Sequence, residues 1–210
     1  MQQRDSESVF LVQQLAEKNL ADAQYAMGVR YENGLDGFPE DGQKALEWYT
    51  KAALQGHVEA QYALAWLYDE GEKVEENIEE AVHWYSKAIE QGHGLAMIGL
   101  AILYEQGLGL VQNYEAAAKL LLRAAEQNYS MAHLWLGRFY EKGKGVPQDY
   151  CLAAYWYLRA AEDGDDDAQV SLARLYETGQ GVPLNMHKAM EWYAKAKEQG
   201  NETARIRLGG

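Results

Sequence analysis

Apolar residues recur along this chain at the spacing of a helix. In the string that begins at Ala23, offsets 0, 4, 7, 8 and 11 carry Ala, Leu or Met, an apolar residue in four of five copies, Tyr and Gly. These positions share one face of a 3.6-residue helix and predict an amphipathic element, helix A. The glycine at offset 11 can take positive φ without steric penalty, so it predicts the helix end. The string returns at Ala60, Ala96, Ala132 and Ala168, at spacings of 37, 36, 36 and 36. A small residue at offset 5 (Gly28, Ala65, Ala101, Gly137, Ala173) predicts close approach of a neighbouring helix backbone.

A second string follows each first one. Ala45, Ala81, Ala117, Ala153 and Ala189 lead to Trp48-Tyr49, Trp84-Tyr85, Leu120-Leu121, Trp156-Tyr157 and Trp192-Tyr193, and a small pair such as Ala52-Ala53 closes most copies. Four residues before each leading Ala stands Asp41, Asn77, Asn113, Asp149 or Asn185. These side chains accept from the unpaired N–H groups of a first helical turn, which predicts the start of a second helix, helix B. Pro39, Pro147 and Pro183, two residues earlier, favour an extended approach. Gly56, Gly92, Asn128, Gly164 and Gly200 tolerate left-handed backbone and predict its end.

A period between 20 and 50 residues marks a helical array in which each hairpin needs neighbours to cover its apolar face. The repeats run over 23–59, 60–95, 96–131, 132–167 and 168–203. Residues 1–22 read as an N-terminal cap helix, with Leu11, Val12 and Ala16 in the register of a preceding helix B. Residues 204–210 read as a partial sixth repeat or a C-terminal cap. The first copy has one extra residue, placed in the loop around Leu35 to Pro39, where insertions cost least.

These strings resemble the Sel1-like repeat. The fourth copy is nearly complete: Ala132, Leu136, Gly137, Tyr140, Gly143, Gly145, Val146, Asp149, Ala153, Trp156, Tyr157, Ala160, Ala161 and Gly164. The third departs at Leu120-Leu121 and the second at Lys73-Val74. The tetratricopeptide repeat shares the Leu-Gly-x-x-Tyr core but runs at roughly 34 residues, which this period excludes. The resemblance implies an all-α fold, a right-handed superhelical α/α solenoid of five helix-turn-helix repeats whose A helices line a concave surface. It also implies an adaptor that binds a protein or peptide. A hydrolase is the alternative, since some cysteine-rich members are linked to β-lactam binding.

Composition narrows the partners. The 210 residues include 32 acidic and 19 basic side chains, net charge −13, which argues against nucleic acid and anionic membrane surfaces as unaided ligands. The N-terminal apolar run, Val9 to Val12, is four residues long and follows Arg4, Asp5 and Glu7, so no signal peptide is expected. No stretch reaches the roughly 18 to 20 apolar residues of a membrane span, and a cytoplasmic protein follows as the default. Cys151 is the only cysteine, so no internal disulfide can form.

Catalytic signatures do not occur: no Ser-x-x-Lys, no Gly-x-Ser-x-Gly, no His-Glu-x-x-His and no P-loop. A non-enzyme without metal or cofactor is expected. His57 and His93 share a column just after the helix B glycine and read as loop or capping residues; His83, His133 and His187 stand singly. The glutamates from Glu70 to Glu80 and the aspartates Asp163, Asp165, Asp166 and Asp167 lack the alternation of a calcium loop and suit helix starts.

The resemblance implies that offsets 3, 6 and 10 of helix A face away from the core, so departures there mark a ligand surface. Trp66, Ile102, Arg138 and Arg174 occupy offset 6, and Trp135 occupies offset 3. These five form the candidate site, a mixed apolar and cationic strip suited to a peptide or helix with apolar anchors and an acidic group. Two readings of Trp66 and Trp135 stay open at this point: interface anchor, or filler between superhelical turns. The partner's identity and the oligomeric state are not encoded in any motif.

Overall fold

The computed structural model describes the backbone of residues 2–209 and the side chains of residues 9–209. Arg4, Asp5 and Glu7, which flank the N-terminal apolar run, therefore lie outside the described side chains. The described residues form twelve α-helices and no strand. They are α1 (Gln2–Glu17), α2 (Ala21–Asn33), α3 (Gly42–Leu54), α4 (Val58–Glu70), α5 (Ile78–Glu90) and α6 (Gly94–Gln106), followed by α7 (Tyr114–Ala125), α8 (Ser130–Lys142), α9 (Tyr150–Glu162), α10 (Asp166–Thr178), α11 (Met186–Glu198) and α12 (Glu202–Arg207). The A helices are α2, α4, α6, α8 and α10; the B helices are α3, α5, α7, α9 and α11. The chain divides into two compact units, residues 1–100 and 101–210.

The boundaries lie where the cap chemistry puts them. Asp41, Asn77, Asn113 and Asn185 each accept the backbone N–H three residues on, and Asp149 accepts two. Each such cap is worth about 1 kcal/mol. Gly34, Gly71, Gly107, Gly143 and Gly179 end the A helices at φ between 62° and 74°. Loop closure is common to all copies: the N-cap amide of helix B donates to the carbonyl of Tyr31, Tyr68, Tyr104, Tyr140 or Tyr176, at 2.8 to 3.0 Å. The offset-8 tyrosine thus anchors the turn by its backbone while its ring stays half-buried.

The core follows the apolar columns. Within unit 1, Ala23, Met27, Ala60 and Leu64 are buried against α1, α3 and α5, and Ala16 of α1 packs with Ala23 and Met27. Within unit 2, Ala132, Leu136, Ala168 and Leu172 do the same. The neighbour of the offset-5 residue differs from expectation. A Cβ on Gly28 would fall 2.4 Å from the Tyr49 ring, and one on Gly137 would fall 2.4 Å from the Tyr157 ring. An aromatic ring from the paired helix, not a backbone, fills the space.

The Trp and Tyr of each pair differ in setting. Tyr49, Tyr85 and Tyr157 are about 1% exposed, whereas Trp48, Trp156 and Trp192 are only half-buried and Trp84 alone among these Trp residues is buried. Lys51 sits 4.1 Å over Trp48 and Lys195 3.9 Å over Trp192, one turn along the same helix. Trp156 is half-buried and stacks on buried His133 at 5.5 Å. The Tyr occupies the helix face turned inward.

Candidate functional site

The outward face of helix A is built as its offsets imply. Every residue at offsets 3 and 6 is half-buried or exposed, while offsets 0 and 4 are buried in all copies. In unit 1, Trp66 projects from α4 with 42% of its surface exposed. In unit 2, Ile102 on α6, Trp135 and Arg138 on α8 are half-buried and Arg174 on α10 is exposed.

Two of these residues meet directly. The Arg138 guanidinium lies 5.4 Å from the Trp135 ring centroid, and Trp135 meets Phe139 edge-on at 6.5 Å. Together with Glu105, Lys142 and Lys144 they line an open cavity of about 250 Å³. Lys144 is held at the rim by an ion pair with Glu105 and lies 5.0 Å over the Tyr114 ring. Arg138 pairs with Asp167 at 3.0 Å. Lys142 makes no ion pair among the described residues. Arg174 does not join this cleft: it binds Glu141 and borders a separate cavity of about 690 Å³ that reaches Tyr193 and Arg207. Ile102 lines neither cavity.

The carboxylates that position these cations were overlooked in the sequence, although their column is visible. Offset 9 of helix A is Glu32, Asp69, Glu105, Glu141 and Glu177. Four accept the phenol of a helix B tyrosine: Tyr49 to Glu32 at 2.6 Å, Tyr85 to Asp69 at 3.0 Å, Tyr157 to Glu141 at 2.6 Å and Tyr193 to Glu177 at 3.1 Å. Burial first, then the bonded carboxylate, pushes the Tyr49 and Tyr157 phenols up, so they stay donors at physiological pH. In the third copy Leu121 replaces the tyrosine, and Glu105 is bound by Lys144 instead. Glu105 and Lys144 both line the cleft beside Trp135.

A second polar column sits at the helix A start. Gln24, Gln61 and Gln169 are buried, and each donates to the carbonyl eight residues back: Ala16, Ala53 or Ala161. Each also accepts from the glutamine at the end of its helix B, Gln55, Gln91 or Gln199. In the fourth copy this column holds His133, 1% exposed, with Asp163 in place of the second glutamine, 3.8 Å from Nδ1. Burial first, then the Arg159 charge, holds the His133 imidazole below its usual pKa. His57 and His93 cap α4 and α6: each Nδ1 accepts an N–H, from Ala60 at 3.1 Å and Ala96 at 3.2 Å. Asp165 caps α10 in the same way.

No group of three or more His, Cys, Asp or Glu side chains that could hold a metal occurs among the described residues. None of the described helices is long and apolar enough to cross a membrane.

Comparison with known proteins places this geometry. The Sel1 repeat model matches five times, over residues 21–57, 58–93, 94–129, 130–165 and 166–201. The structure of c5321, a protective antigen of uropathogenic Escherichia coli with an SLR fold, superposes with a TM-score of 0.90 at 34% identity. It covers 95% of this chain, which spans 43% of that protein. A Sel1 repeat protein from Oxalobacter formigenes superposes with a TM-score of 0.85 at 38% identity, over 91% of this chain and 76% of that one. Chitin synthase regulatory factor 3 of Schizosaccharomyces pombe is 34% identical over 65 residues, 30% of this chain and 7% of that protein. With five consecutive matches and the same helical hairpins in solved relatives, the chain belongs to the Sel1 repeat family, whose solenoids generally serve as non-catalytic interaction scaffolds.

Proposed function

We propose that this protein is a cytoplasmic, non-catalytic adaptor that binds a protein or peptide through the exposed face of its A helices, with Trp66, Ile102, Trp135, Arg138 and Arg174 as contacts. The observation that carries the reading is the open cleft of unit 2. Trp135 and Phe139 supply an apolar wall, and Arg138, Lys142 and Lys144 stand around it in a chain of net charge −13. Aromatic and arginine side chains on a half-open surface are the usual anchors of an interface. Trp135 is held from behind by Phe139 and from one side by Arg138, so little side-chain freedom is lost when a ligand docks. An apolar ligand group beside a carboxylate suits this cleft. Arg138 and Lys144 already carry internal partners, so a ligand carboxylate competes with Asp167 and Glu105, which favours selectivity over raw affinity.

Immobilised protein used to capture its partner from the native host, followed by titration of the purified pair, tests this. Trp135→Ala is expected to weaken binding by at least about 2 kcal/mol while the folded signal in circular dichroism is unchanged. Unchanged affinity would remove the cleft from the interface. Reproducible turnover of a β-lactam reporter, lost on changing one polar side chain with folding intact, would overturn the non-catalytic part.

A further inference from the structure

The two units differ sharply in charge. Residues 1–100 contain 18 acidic and 7 basic side chains, net −11, whereas residues 101–210 contain 14 and 12, net −2. Unit 1 also holds a groove of about 380 Å³ on the same face of helix A, one repeat before Trp66. Its floor is Tyr25, Ala26 and Val29 of α2, and its wall is Leu35, from the loop that carries the extra residue of the first copy. Ala26 and Val29 stand at offsets 3 and 6, where the fourth copy has Trp135 and Arg138. Small residues there open a recess where larger side chains would fill it.

The loop is fixed rather than loose. Asp36 and Gly37 both adopt positive φ, 54° and 85°. The Leu35 amide donates to the Arg30 carbonyl at 3.0 Å and the Phe38 amide to Leu35 at 2.9 Å. Phe38 packs edge-on against Tyr31 at 5.0 Å, and Asp36 lies 2.9 Å from Arg30 Nε. In unit 2 the loop glycines Gly145 and Gly181 press against the backbone of Tyr114 and Tyr150, whereas no described atom lies within 4 Å of a Cβ position on Gly37. These bonds and the Phe38–Tyr31 contact seat the loop on its own helix A. Tyr25 is equally constrained, stacked on His57 at 4.8 Å and near Tyr49 at 5.6 Å. A groove with fixed walls loses little entropy on filling.

Carboxylates stand on its rim and beside Tyr25. Asp36 sits on the rim, half exposed, and Arg30, the sole base in the lining, is spent on it. Tyr25 stands beside Tyr49, whose hydroxyl donates to Glu32, and stacks on His57, whose Nε2 lies 3.3 Å from the exposed Asp22 carboxylate. We propose that this groove is a second docking site, separate from the unit 2 cleft, which takes one aliphatic side chain of a partner segment flanked by Lys or Arg. The apolar floor supplies the anchor and the acidic rim selects the flanks.

The test titrates the full chain with a fluorescein-labelled peptide, KKSLSKK, against one with Ala in place of the central Leu and one with Glu in place of every Lys. The Leu peptide should bind saturably, at least tenfold more tightly than the Ala peptide and with no measurable binding of the Glu peptide. Leu35→Ala, on an exposed loop, should weaken the Leu peptide at least fivefold, and Val29→Arg should abolish it with helical content intact. Trp135→Ala should leave this binding unchanged, which separates the site from the adaptor cleft. Equal affinity for the Leu and Ala peptides would reduce the effect to charge alone and overturn the proposal. So would indifference to both groove variants, preference for the Glu peptide, or loss on Trp135→Ala.

Discussion

Leu100 and Asn113 show how far single positions differ in weight. Leu100 is 6% exposed on the core face of α6, and Leu100→Ala leaves a cavity that costs about 2 to 5 kcal/mol. Asn113 sits exposed at the start of α7, where its side chain accepts the Ala116 amide at 3.0 Å. Asn113→Ala removes that cap alone, for about 1 kcal/mol. Denaturant titration should rank them in that order. His133 carries a pH dependence. Neutral in the folded state and held below its usual pKa, it binds a proton more readily in the unfolded chain. Its stabilisation is complete above about pH 6.5, the ordinary histidine value, and is lost as pH falls from there through the depressed folded value. His133→Gln restores the glutamine of the first, second and fifth copies, with the Ala125 carbonyl as acceptor, and should flatten the fall in melting temperature between pH 7 and 5. An unchanged profile would place the titration elsewhere.

At the level of the element, each hairpin is locked by a ring laid over a gap. Gly137 leaves that gap for Tyr157, whose hydroxyl then reaches Glu141. Gly137→Ala puts a methyl 2.4 Å from the ring, and Tyr157 has to shift in a space that is fully enclosed. A loss of about 1 to 3 kcal/mol is expected, against the gain in helix propensity that Ala normally brings. Thermal unfolding of Gly137→Ala beside Gly37→Ala, where the space is open but φ is positive, separates crowding from backbone strain. The third hairpin has Leu121 where this ring would lie, and its offset-9 carboxylate, Glu105, holds Lys144.

Across the whole chain, stability in a repeat protein is shared between neighbours, and elements that bury less apolar surface against them open first. Helix α12 has six residues with Ile206 72% exposed, and α1 leaves Phe10 and Leu11 in solvent at 62% and 55%. Amide exchange should therefore be fastest in α1 and α12 and slowest in α8 to α10, where Leu136, Tyr157 and Leu172 are buried. Uniform protection along the chain would contradict the neighbour model.

The helices, their caps and their order were legible because they rest on local chemistry. A five-fold column of Asp or Asn before helix B has one physical use, and glycine past helix A has one conformational advantage. The outward setting of Trp66 and Trp135 also follows from the 3.6-residue period. What surrounds each side chain was not legible, because it depends on residues about 16 to 40 positions away. Periodicity places a Trp and a Tyr side by side in most copies without saying which ring fits the offset-5 gap, and in the structure it is the Tyr. It named Arg138 and Arg174 as cations without showing the carboxylates that hold them, Asp167 and Glu141, 29 and 33 residues distant. The groove beside Leu35 was visible only as one surplus residue in a count. Helical period and capping are properties of a few consecutive residues, whereas clefts and ion pairs are made where distant segments meet, and packing alone decides them.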